Sequence, residues 1–206
     1  MPNIFALYVK ACHPLVANRV RNLDEKLCEH VERVKDALEE NSDIEKIVEQ
    51  VIDSTNSLIR EPLVLAPESL KTPVRGYGRN LLYHDPDYDF VVVAMVWPPL
   101  EETSVHDHGT WGVVGVNEGQ LNVTNYSRED DGTFPGIAIL NELDTISAGE
   151  GMATHVFPPE EDIHKVWNST TDISVSIHTY GKPIYVCNTF DLEDGTFEEM
   201  KVSYTS

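Results

Sequence analysis

The chain has 206 residues, 41% of them hydrophobic, which is enough to bury a core and argues against a disordered chain. Its formal charge of −20 at pH 7 repels nucleic acid and anionic membrane surfaces, so neither is expected as a partner. An anionic substrate would have to find an Arg or Lys of its own within that field.

The longest apolar runs, such as residues 90–96, are too short to cross a bilayer. The opening MPNIFALYVKACHP lacks the basic lead of a signal peptide and is expected to join the fold of a cytoplasmic protein. Cys12, Cys28 and Cys187 form no C-x-x-C pair. Odd in number and scattered, they read as reduced packing residues, not a disulfide framework or a thiolate zinc site.

The first third reads as helical. Leu23, Leu27, Val31, Val34 and Leu38 recur at spacings of four and three, the stripe of one amphipathic helix. Ser42-Asp43-Ile44-Glu45 reads as a capping box opening a second helix with Ile44, Ile47, Val48, Val51 and Ile52 inward. A Pro-containing connection from Glu61 to Pro73 ends helical character. After Tyr77 short runs rich in Val, Ile, Thr and Tyr predict strands over 77–83, 90–97, 103–108, 111–117, 120–127, 143–147, 152–157, 163–168, 173–180 and 184–190. Such spacing indicates an all-β sandwich or barrel, with Ser127–Gly136 as a surface loop. The helical part, 1–65, has too few helices to bury its own apolar faces. It is expected to pack on the β part, 75–206, in a single domain spanning 1–206.

Eight histidines are present, and His106 and His108 stand out as H-D-H on a predicted strand. Side chains at i and i+2 share a face, so both imidazoles can enter a barrel while Asp107 points away. A third ligand must come from another strand; His164 is the leading candidate and His155 its rival. His13, His30 and His84 read as ordinary helix or loop residues. The spacing of His106, His108 and a hairpin Gly119 resembles the first cupin motif, and Pro159, His164 and Asn168 resemble the second. Gly112 stands where that motif has a carboxylate, and Glu161 where the second has a glycine. Three neutral imidazoles leave open positions on a metal, as iron(II) oxygenases need, while zinc with a water is the competing occupant.

Two further clusters accompany the histidines. Ser176, His178 and Tyr180 alternate on one strand and can form a hydrogen-bonded row. Tyr77 and Arg79 share a face of the first barrel strand, where Arg79 can clamp a carboxylate. Five segments in order resemble the cysteine dioxygenase family of thiol dioxygenases. They are Tyr77-x-Arg79-Asn80-Leu81, Val105-His106-Asp107-His108, Trp111-Gly112-Val113-Val114-Gly115-Val116, Ile163-His164-Lys165-Val166-x-Asn168 and Ser176-Ile177-His178-Thr179-Tyr180.

The resemblance implies a mainly β cupin barrel with two N-terminal helices. It implies one Fe(2+) per chain held by His106, His108 and His164, with a small thiol and O₂ as partners. Arg79 and Tyr77 would then bind substrate, and Tyr180, positioned by His178 and Ser176, would lie beside it. The product would be a sulfinic acid and the protein a monomer. Animal members cross-link a Cys to the phenol; residues 109–114 contain none, so no thioether on Tyr180 is expected. Arg79 favours cysteine, with 3-mercaptopropionate and mercaptosuccinate as alternatives. A zinc or nickel lyase or isomerase, or a ligand-binding cupin, are the competing functions.

Overall fold

The computed structural model describes residues 20–206, with side chains from Glu25 onward. Cys12, His13, the opening segment and the side chain of Leu23 lie outside the described residues. Helix α1 (Val20–Glu40) buries Leu27, Val31, Val34 and Ala37, one stripe at spacings of four and three, and leaves Leu38 partly buried. Helix α2 (Ile44–Leu58) is capped by Asp43, whose Oδ1 accepts from the backbone N–H of Glu45 at 3.1 Å. Asp43, not Ser42, is therefore the N-cap, because its carboxylate reaches the orphan N–H of the first turn. Ile44 falls at the first helical position and stays 46% exposed, while Ile47, Val48, Val51 and Leu58 are buried.

Eleven strands follow among the described residues. They are β1 (Gly78–His84), β2 (Val91–Trp97), β3 (Val105–His106), β4 (Gly112–Glu118), β5 (Gln120–Arg128) and β6 (Leu140–Gly149), then β7 (Ala153–Val156), β8 (Ile163–Trp167), β9 (Ser174–Tyr180), β10 (Val186–Asp191) and β11 (Thr196–Lys201). They form two antiparallel sheets, ordered β1-β2-β9-β4-β7 and β11-β10-β3-β8-β5-β6. Strands distant in sequence lie side by side, β2 with β9 and β3 with β8, which makes the double-stranded β-helix that the cupin-like spacing predicts. At the β4–β5 hairpin Gly119 takes φ +79°, a left-handed conformation that a side chain would oppose.

The barrel interior is lined by both sheets. Val93, Met95, Trp97, Val116 and Tyr180 from the first meet Leu121, Ala148, Val166 and Cys187 from the second. On the outer face of the first sheet, Val92, Ala94, Val113, Val175 and Ile177 pack under the two helices. Strand β2 reads as an uninterrupted apolar run because both its faces are covered. Strand β11, TFEEMK, was not expected: it is an exposed edge whose adjacent Glu198 and Glu199 break the apolar alternation.

His30 differs from the ordinary helix residue that the sequence suggests. It is 2% exposed, contacts Ser54 of α2 through Nδ1 at 2.8 Å, and contacts Thr179 of β9 through Nε2 at 2.8 Å. Burial holds its pKa down at about 4, so it is neutral at pH 7. No helix among the described residues is long and apolar enough to cross a membrane.

Candidate metal centre

Adjacent strands of the second sheet bring the histidines together. His106 on β3 is the direct register partner of His164 on β8. Strand β3 stops at His106, so His108 lies in the following turn and not on the strand that i/i+2 alternation supposes. Asp162, which the sequence reading passed over, places it there. One carboxylate oxygen accepts from the backbone N–H of His108 at 3.1 Å and from its Nδ1–H at 2.9 Å; the other accepts from Gly109 N–H at 3.0 Å. Asp107 points away, as expected, and accepts from the backbone and side-chain N–H of Asn188 at 2.8 and 2.7 Å. The three imidazole centroids lie 4.7–4.9 Å apart, and one ligand nitrogen from each falls within 4.8 Å of the others.

The surroundings prepare these nitrogens for a cation. Nδ1–H of His108 donates to Asp162, and Nδ1–H of His106 donates to the carbonyl of Ser104 at 3.0 Å, which leaves each Nε2 with a free lone pair. Burial, and then the neighbouring His108, lowers the pKa of His106 to about 3; burial also drives His164 well below its ordinary value. Burial alone would raise Asp162, but the bonds from His108 and Gly109 hold its carboxyl below the usual range. His106 and His164 are therefore held neutral, and the Asp162 carboxylate anchors His108 beside them, a donor set that suits a divalent metal. His155, the rival ligand, stands on β7 away from this group, partly exposed and 3.0 Å from Glu161.

The absent carboxylate of the first motif has a steric cause. A Cβ at Gly112 would lie 2.6 Å from the Tyr180 ring, so a carboxylate side chain or a cysteine there would displace the phenol. Tyr180 instead stacks on His108, its ring 5.7 Å from the imidazole and nearly parallel at 24°.

The wall opposite the histidines comes from the first sheet. On β9, Ser176 Oγ lies 2.7 Å from His178 Nε2, and His178 Nδ1 lies 2.8 Å from the Tyr180 oxygen. Trp97 on β2 extends the row: its indole N–H donates to Ser176 Oγ at 2.9 Å, and its ring stacks on Tyr77 at 4.8 Å. An indole can only donate, so Ser176 accepts from Trp97, and the second lone pair and the proton of its hydroxyl are left for His178 Nε2. With the serine proton directed at Nε2, His178 donates from Nδ1 to the Tyr180 oxygen and the phenol proton is free for another acceptor. Burial lowers the pKa of His178 and raises that of Tyr180, which keeps both groups neutral.

Arg79 on β1 completes that wall. It is 7% exposed; Nη2 donates to the carbonyl of Ile184 at 3.3 Å, and Nη1 is buried without a partner. Among the described residues no carboxylate pairs with it. Its positive charge bears on His106, His178, Tyr180 and Tyr77 alike, which places the guanidinium among the site groups. A buried, unpaired guanidinium is costly, and an anionic ligand would relieve it.

A family model, cysteine dioxygenase type I, matches residues 31–193, which hold every group just described. The chain belongs to the cysteine dioxygenase type I family. A cysteine dioxygenase type 1 from Danio rerio is 27% identical over 137 residues. That match spans 63% of this chain and 63% of the relative's own length. Among solved structures, the Cupin_2 domain of an XRE family transcriptional regulator from Enterobacter cloacae is 16% identical with a TM-score of 0.37, covering 53% of this chain and 99% of that one. An uncharacterized conserved protein with a double-stranded β-helix domain from Klebsiella pneumoniae is 16% identical with a TM-score of 0.38, covering 69% and 100%. Within this cysteine dioxygenase family member, the sequence reading missed Asp162, Trp97 and the buried link at His30. Only Asp162 left a local signal, a carboxylate two residues before the third histidine.

Proposed function

We propose that this protein is an iron(II)-dependent dioxygenase that converts a small carboxylate-bearing thiol, cysteine foremost, and O₂ to the sulfinic acid. The observation that carries this reading is the meeting of two unlike walls. Three imidazoles meet at the second sheet, His106 and His164 from its strands and His108 from the turn after β3, and a buried guanidinium with a free N–H stands on the first.

In this reading Nε2 of His106, His108 and His164 hold the metal. Bound iron(II) would supply neighbouring positions for the thiolate and O₂ and would favour the thiolate by its charge. Arg79 takes the substrate carboxylate, so the sulfur is carried toward the histidines at a fixed reach. Tyr77, stacked on Trp97, walls that pocket. Tyr180 accepts from His178 and directs its own proton to the substrate side of the cavity, where it can bond an oxygen of the product. With glycine at 112 and no cysteine in 109–114, the phenol acts without a thioether.

The test is O₂ uptake by the iron(II)-loaded protein with cysteine, 3-mercaptopropionate and mercaptosuccinate in parallel, with products weighed by mass spectrometry. Thiol-dependent uptake giving a product two oxygen atoms heavier supports the reading and ranks the substrates. No uptake with any of them, despite bound iron, overturns it and favours the zinc chemistry that three imidazoles also suit. His164→Ala is expected to lose iron and turnover together; retention of both would remove His164 from the ligand set.

A further inference from the structure

Two buried polar atoms close to one another in the fold lack partners: Nη1 of Arg79 and the phenol oxygen of Tyr204. The guanidinium lies over the Tyr204 ring, with Cζ 5.4 Å from its centroid. Tyr204 belongs to the segment 202–206, which lies outside the stretch matched by the family model. That segment runs along the free edge of β1. Thr205 N–H donates to the Arg79 carbonyl at 2.6 Å, Arg79 N–H donates to Thr205 Oγ1 at 3.0 Å, and Leu81 N–H donates to the Ser206 carbonyl at 3.0 Å. At its other end Val202 N–H donates to the Tyr185 carbonyl at 2.9 Å, and the Tyr185 ring meets Tyr204 edge-on. The same backbone pairing thus fixes both Arg79 and Tyr204.

We propose that Tyr204 is a substrate-binding residue whose phenol donates a hydrogen bond to the carboxylate held by Arg79. This rests on the carboxylate-bearing thiol proposed above. Both unpartnered groups are donors: a guanidinium N–H cannot accept, and burial raises the Tyr204 pKa so that the phenol keeps its proton. The phenol O–H can donate beside the guanidinium N–H, so the pair suits the two oxygens of a carboxylate, whereas an amine or a methyl group would leave Nη1 unmatched. The position is right as well, since Tyr204, like Tyr77, is partly buried against the barrel core and bears electrostatically on Tyr180. The segment 202–206 therefore selects for acidic thiols.

The test compares Tyr204→Phe with the unsubstituted protein, both loaded with iron(II), and uses Tyr185→Phe as a control on an exposed neighbour. Phenylalanine keeps the ring under the guanidinium, so thermal unfolding should be unchanged. Two quantities are read: the anaerobic Kd for 3-mercaptopropionate by calorimetry, and KM and kcat for cysteine and for cysteamine, which lacks the carboxylate. Tyr204→Phe should raise the Kd and the cysteine KM about tenfold with kcat nearly constant, and leave cysteamine and the control unaffected. Unchanged Kd and KM in a folded Tyr204→Phe protein would overturn the proposal while leaving the dioxygenase reading intact. If no thiol is turned over at all, that reading fails, and the anaerobic Kd alone decides Tyr204: a tenfold loss supports it, and equal or absent binding sinks it.

Discussion

Whether Tyr180 can offer a proton depends on how a single hydroxyl, that of Ser176, is turned. Trp97 occupies one of its two lone pairs, which biases the order of donors to run from the indole through Ser176 and His178 to the phenol. Removing the indole N–H frees Ser176 to accept from His178 instead, which would turn the row around. Trp97→Phe keeps a ring against Tyr77 and loses only the donor. Its kcat should fall on the order of tenfold, the worth of one buried hydrogen bond, with KM and iron content unchanged and the pH profile of kcat displaced. A merely structural Trp97 would lower stability and leave that profile where it was. Ser176→Ala should displace the profile in the same sense.

Among the elements, β9 carries traffic on both faces. His178 and Tyr180 point into the barrel, while Thr179 between them is tied through His30 to both helices. The folded pKa of His30, about 4, lies below its ordinary 6.5, so the unfolded chain binds the extra proton first as pH falls. Stability from this group is complete above pH 6.5 and is lost progressively toward pH 4. The charges around the ring are Arg33, which opposes its protonation, with Lys26 and Glu29 lining the same small pocket. Unfolding by urea should show about 2 kcal/mol less stability at pH 5 than at pH 7.5 from His30 alone. His30→Gln should remove that difference while keeping a hydrogen-bonding side chain; an unaltered pH slope would show that His30 is not responsible. Elements of this kind were legible in part. The helical stripe, the doubly covered β2 and the H-x-H pair follow from local periodicity. His30 with Thr179, Trp97 with Ser176, and Arg79 with Thr205 join residues 149, 79 and 126 positions apart. Only tertiary packing makes such pairs, and no local pattern announces them. For the same reason His108 was assigned to a strand when a carboxylate 54 residues away holds it in a turn.

Across the whole molecule, the three histidines gather at the second sheet and the turn after β3, and Arg79 and Tyr180, the groups proposed to meet the substrate, sit on the first. Only the core between the sheets keeps the two at working distance. Leu121, 2% exposed, is part of that core. Leu121→Ala should cost about 2–5 kcal/mol of stability and lower kcat, while iron content stays at the unsubstituted level because β5 carries none of the three histidines. Loss of iron in step with turnover would mean that the sheets are not separable in this way. The division has a further consequence for descent. On the proposed function, changes in β1, β9 or residues 202–206 would retune which substrate is welcomed without disturbing the three histidines. A lineage built on this barrel would then trade one substrate for another and inherit its histidine cluster unchanged.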